Sequence, residues 1–239
     1  MKIRLDKYLA DMAVGTRSEV KKLIVRGMVQ VNKEVIKKVD YKVDTACDKV
    51  VAQEREILYE PFLYYMMNKP AGVVSATRDE RERTVIDLLD ERDFGGRKKE
   101  LFPAGRLDKD TEGLLLLTND GELSHRILSP KNHVDKTYYA RIEGRVTDDD
   151  VHAFLKGLEI GEKRPTLPAK LRVLASGEIS EVELTIREGK FHQVKRMFEA
   201  VEKRVLYLKR IRMGALCLDE SLKPGEYRRL TKEETEQLC

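Results

Sequence analysis

The chain has no tryptophan, and aromatic residues make up only 6% of it. Cysteine is scarce too. Cys47, Cys217 and Cys239 stand at wide spacings with no Cys-x-x-Cys, so neither a zinc ribbon nor a thioredoxin-type redox pair is indicated. The four histidines, His125, His133, His152 and His192, are scattered and suggest no metal site. Neither Gly-x-x-x-x-Gly-Lys nor Gly-x-Gly-x-x-Gly occurs, so no nucleotide cofactor is expected. There is no signal-peptide pattern and no apolar run near ~18 residues, which makes a cytoplasmic protein without membrane contact the expectation.

What the chain has in excess is charge. Its 239 residues suffice for one or two domains, and 41% are hydrophobic, enough to fold. Charged residues reach 37%, against about 25% in ordinary domains. The formal net charge of +4 is unevenly placed. Residues 1–59 hold 13 Lys/Arg and 9 Asp/Glu, and the remainder holds 33 of each sign. A basic leading unit (1–59) ahead of a larger neutral one (60–239) suggests an electrostatic docking module joined to an enzyme or binding domain.

Local patterns predict the elements. Leu5, Leu9 and Met12 share one helical face, ended by Gly15. Thr16-Arg17-Ser18-Glu19 matches a capping box for a second helix running to about Arg26, with Gly27 as its stop. Met28–Val31 and Glu34–Ile36 flank an Asn32-Lys33 turn and predict a hairpin. Further strands are expected at Tyr64–Met67, Leu114–Leu117, Lys136–Glu143, Ala169–Leu174, Glu181–Arg187 and Val205–Arg212. Asn68–Gly72 reads as a turn, with Val73–Ser75 extended beyond it. Helices are expected near Val85–Asp90, from Glu122 to Leu128 with a stop at Pro130, from Thr147 to Leu158, and from His192 to Val201. The irregular alternation predicts an α+β fold with a mostly antiparallel or mixed sheet.

On the second helix, Arg17, Lys21, Lys22 and Arg26 project outward. With Arg4 they form a basic set suited to phosphate. The segments Arg4-Leu5-Asp6-Lys7-Tyr8-Leu9, Ser18-Glu19 and Arg26-Gly27-Met28-Val29-Gln30-Val31-Asn32 resemble the S4 RNA-binding domain, which implies RNA recognition largely by shape.

Four segments of the larger part stand out: Asn68-Lys69-Pro70-Ala71-Gly72, the stretch Gly105 to Gly121 (GRLDKDTEGLLLLTNDG), Lys136-Thr137-Tyr138-Tyr139-Ala140, and Glu188 to Met197 (EGKFHQVKRM). Taken singly, each admits a structural reading. In this order behind an S4 pattern, they resemble the pseudouridine synthases, closest to the RsuA-type branch that modifies bacterial 16S ribosomal RNA. The resemblance implies a catalytic aspartate at Asp108, an active-site tyrosine at Tyr138 and a basic partner at Lys195. It leaves to Arg106 a role in holding the flipped nucleotide or its phosphate.

The implied chemistry suits these residue types. Isomerising uridine exchanges an N-glycosidic for a C-glycosidic bond with no redox change, so no cofactor is required. A carboxylate serves as nucleophile or base, whereas a glycosidase would need two cooperating carboxylates. Enclosure under RNA disfavours an ionised carboxylate, and a nearby cation opposes that. The target must leave its stack to be reached. The resemblance further implies ribosomal RNA or an assembling small subunit as partner, a monomer, and a target at the position usually called uridine 516. A 23S uridine and a non-catalytic S4-type RNA-binding protein are the alternatives. One departure is Glu202, where relatives commonly carry glycine.

Overall fold

A computed structural model describes residues 1–129 and 132–238. Pro130, the expected helix stop, and Cys239 lie outside the described residues. The fold divides into two compact units, Met1–Leu63 with Asp90–Glu100, and Tyr64–Leu89 with Leu101–Cys239.

The first unit begins with β1 (Lys2–Arg4), α1 (Leu5–Asp11) and α2 (Arg17–Val25). Thr16 caps α2 as expected. Its Oγ1 accepts from Glu19 N at 3.3 Å, and the Glu19 carboxylate accepts from Thr16 N at 2.7 Å. The strands that follow are β2 (Val29–Val31), β3 (Glu34–Val35), β4 (Lys42–Asp44), β5 (Val50–Ala52) and β6 (Arg55–Ile57). The β2–β3 hairpin turns through Asn32 and Lys33, both at positive φ. Its sheet runs β3-β2-β5-β6, while β1 pairs with β4. Leu5, Leu9, Val20, Ile24, Val29, Val43 and Val50 meet in one core. The segment Asp90–Glu100 is fastened here by buried Arg97, whose guanidinium donates to the carbonyls of Glu60 and Pro61 at 2.6 Å each and pairs with Glu100.

The second unit contains β7 (Tyr64–Lys69), β8 (Phe102–Pro103), β9 (Glu112–Thr118), α3 (Gly121–Leu128), β10 (Lys136–Glu143), α4 (Asp148–Lys156), β11 (Lys170–Ala175), β12 (Ile179–Ile186), α5 (Gln193–Glu199), β13 (Arg204–Met213), β14 (Leu216–Cys217), β15 (Tyr227–Arg229) and α6 (Lys232–Leu238). Nine strands form one sheet ordered β11-β12-β10-β13-β9-β7-β15, with β14 on β13 and β8 on β9. Among the described residues, β13–β9 is the parallel strand pair of this sheet and the other strand pairs are antiparallel. This is the α+β mixed sheet expected. Leu114 to Leu117 are fully buried because β9 is covered on both faces. Along β10 the burial alternates, with Tyr138, Ala140 and Ile142 inward. Asp120, at the end of the leucine strand, caps α3 by accepting from Leu123 N at 2.9 Å and also accepts from the Tyr64 hydroxyl at 2.7 Å.

Three local expectations are corrected. Lys69 is the last residue of β7, not part of the turn. The segment after it makes only an isolated bridge, Val74 to Thr84. The helix expected at Val85–Asp90 is a short 3-10 turn over Ile86–Leu88. Val85, Ile86 and Leu89 are buried at helical spacing, but Leu89 turns extended, with φ −82 and ψ 139, and ends the turn.

Candidate active site

Asp108 lies on the loop between β8 and β9, and the turn after β7 holds that loop in place. Lys69 is fully buried. Its ammonium donates into a cradle of carbonyls from Thr111 at 2.8 Å, Pro70 at 3.0 Å, Asp108 at 3.1 Å and Lys109 at 3.3 Å. Gly72 N adds a bond to Lys109 O at 2.8 Å. Buried Ser75 binds both backbone groups of Leu107, accepting from its N–H at 3.0 Å and donating to its carbonyl at 2.9 Å. The Asn68–Gly72 motif therefore serves the aspartate loop. Burial pushes the Lys69 ammonium down to about 8, and the nearby carboxylates of Asp110, Asp108 and Glu112 oppose that fall.

The far end of the loop is fixed by a close approach. Gly113 has φ +100, and a Cβ there would lie 2.2 Å from the carbonyl oxygen of Arg210 on β13. No other residue allows β9 to run beside β13 at this point. Arg210 is buried and donates from Nε to Leu114 O at 2.8 Å. Tyr138, also buried, pairs in register with Arg210 from the other side of β13. Gly113, Arg210 and Tyr138 thus stand side by side across β9, β13 and β10.

The helix α5 brings the cation. Lys195 Nζ is 3.6 Å from Asp108 Oδ2, but it binds Asp110 more closely, at 2.6 and 2.8 Å. Burial raises the Asp110 carboxyl, while the Lys195 hydrogen bonds and charge outweigh that and leave it below its ordinary value. His192 precedes α5 with φ 47 and places Nε2 3.8 Å from Asp108 Oδ1. The carboxylate of Asp108, about a third exposed, is thus flanked by a lysine and an imidazole.

Of the residues expected from the sequence, Asp108 and Lys195 come together. Tyr138 is set on the neighbouring strands, and Arg106 is exposed beside Leu107. Asp110, His192 and Arg210 went unnoticed as members of the group. The spacing Asp-x-Asp and the His-x-x-Lys pairing were the available signals for the first two. Nothing local marks Arg210, which depends on strand order. Among the described residues no group of His, Cys, Asp and Glu suits a metal ion.

In the first unit, Arg17, Lys21, Lys22 and Arg26 are exposed and make no ion pair among the described residues. Arg4 differs: its guanidinium holds the Asp6 carboxylate with two bonds of 2.9 Å.

Residues 63–200 match the family model described as RNA pseudouridylate synthase, and residues 3–50 match the S4 domain. The chain belongs to the RNA pseudouridine synthase family. An uncharacterized RNA pseudouridine synthase of Bacillus subtilis is 47% identical, with 97% of this chain and 96% of that protein covered. The ribosomal small subunit pseudouridine synthase A of Vibrio cholerae is 46% identical with 97% of each covered, and that of Escherichia coli is 42% identical with 97% and 98% covered. A crystal structure of a pseudouridylate synthase aligns over 99% of this chain and 100% of its own, with a TM-score of 0.70 and 40% identity. This pseudouridine synthase therefore carries an N-terminal S4 domain and a synthase fold whose mixed sheet presents the Asp108 loop.

Proposed function

We propose that the enzyme converts one uridine of bacterial 16S ribosomal RNA to pseudouridine, at the position usually called uridine 516, with Asp108 as its catalytic carboxylate. The observation that carries this reading is the setting of Asp108: a carboxylate between Lys195 and His192, on a loop gathered by a buried ammonium. The naming of the Vibrio cholerae and Escherichia coli relatives for the small subunit supports the choice of RNA.

The reaction breaks the bond from C1′ to N1 and makes one from C1′ to C5. C5 then loses its proton and N1 gains one. Asp108 acts as nucleophile or base at this centre. Tyr138 packs on the extruded base and assists loss of the C5 proton, Arg106 holds the flipped nucleotide or its phosphate, and Lys195 keeps the carboxylate ionised under bound RNA. No cofactor takes part. Residues 1–59, with Arg4, Arg17, Lys21, Lys22 and Arg26, dock the RNA or an assembling subunit, and residues 60–239 carry out the chemistry in a cytoplasmic monomer.

Asp108→Asn tests the assignment. It is expected to bind 16S RNA nearly as the wild type does and to release no tritium from 5-tritiated uridine. Release at the wild-type rate overturns it.

A further inference from the structure

Phe191 is an unusual residue to leave outside. It is 71% exposed, yet it adjoins His192, whose imidazole lies against Asp108. The two rings are stacked, with centroids 3.8 Å apart and planes 18° from parallel. The imidazole of this two-ring stack reaches toward the Asp108 carboxylate through Nε2, and the phenyl ring is largely open to solvent.

The backbone beneath the stack is braced. Gln193, buried at the start of α5, accepts from Lys190 N at 2.9 Å and donates to Glu188 at 3.0 Å. Lys190 Nζ donates to the carbonyls of Arg164 at 3.0 Å and Pro165 at 2.8 Å. Arg196 donates to Phe191 O at 3.1 Å and pairs with Glu162 at 2.8 Å. A flexible exposed phenylalanine would lose conformational freedom on meeting a ligand. Phe191 is stacked on His192 above a hydrogen-bonded backbone, so part of that cost is already met.

We propose that Phe191 is a stacking platform for a nucleobase adjacent to the target uridine. The proposal rests on Asp108 as the reaction centre. Extruding a uridine leaves its neighbours without a stacking partner, and an exposed aromatic ring supplies one to any base because every base has a π face. His192 sets the offset between the carboxylate and the platform, so the base seated on Phe191 is a neighbour of the reacting one. Phe191 therefore places the RNA strand and does not act on the reacting atoms.

The test uses the full chain and a 16S RNA fragment bearing the target uridine, with 2-aminopurine on either side of it in turn. Wild-type enzyme is expected to quench the probe at one flank, Phe191→Ala to lose that quench and Phe191→Tyr to keep it. Phe191→Ala is further expected to raise KM about tenfold, with a smaller effect on kcat. An abasic residue at the quenched flank should weaken the wild type by a similar factor and leave Phe191→Ala without further loss. Two results overturn the platform: no quench at either flank, or an abasic penalty as large in Phe191→Ala as in wild type. If the fragment is bound and quenched but no pseudouridine forms, the proposed target fails while the platform stands.

Discussion

Lys69 keeps an ammonium in the interior, where charge is costly, and spends it on the carbonyl groups of the Asp108 loop. Its proton affinity gives this arrangement a pH signature. In the folded protein the group titrates at about 8, against 10.5 for an ordinary lysine. Between those values the unfolded chain holds more protons than the folded one, so the Lys69 contribution to stability rises with pH, by up to about 1.4 kcal/mol per pH unit. Below about 8 it is flat. Urea unfolding of wild type and Lys69→Met across pH 7.5–10 should show this slope only in wild type. The same variant frees the loop and is expected to lower kcat about a hundredfold, the scale of a small misplacement of a reacting group. At this scale the sequence was only partly readable. Asp108 and Lys195 belong to recognisable motifs; Lys69 does too, but its work is set mainly by carbonyls some forty residues away, so its segment read as a turn.

At the scale of elements, helix boundaries were readable because caps are local. Thr16 with Glu19 starts α2 as expected, and Lys136–Glu143 forms a strand on alternation alone. The end of α5 puts Glu202, where the family resemblance leads one to expect glycine, in a demanding conformation. Lys203 N reaches back to Phe198 O at 2.9 Å, and Glu202 takes the left-handed conformation with φ 58. That geometry favours glycine. The exposed Glu202 side chain has no partner among the described residues. Glu202→Gly should therefore stabilise the protein by about 0.5–1 kcal/mol, the left-handed penalty less the entropy glycine adds to the unfolded chain. Calorimetry should show a Tm increase of about 1–3 °C with activity unchanged. The exposed face of α2 carries a different expectation. Replacing Lys21, Lys22 and Arg26 with alanine should flatten the dependence of log binding constant on log salt by up to about 2, at the single-strand slope of ~0.7 per phosphate. Filter binding over 50–300 mM salt measures this, and an unchanged slope removes α2 from the RNA contact.

For the whole molecule, composition and motif order conveyed the fold class and the reaction family, since both are distributed along the chain. Strand order was out of reach. The parallel contact of β13 with β9 joins residues nearly a hundred positions apart, and it is what sets Arg210 and Tyr138 beside the Asp108 loop. The assignment of Asp90–Glu100 to the first unit was equally hidden, because its charge resembles that of the stretch around it. That segment changes what counts as a separable piece. The polypeptide leaves the first unit at Leu63, contributes a strand to the second, and returns before departing for good, with Arg97 tied to the carbonyls of Glu60 and Pro61. Cutting the gene after Leu63 would leave Arg97 on the other fragment, away from the Glu60 and Pro61 carbonyls and with Glu100 as its remaining partner. The chain therefore crosses between the two units three times, and neither is a cassette that could be moved intact to another protein by one cut.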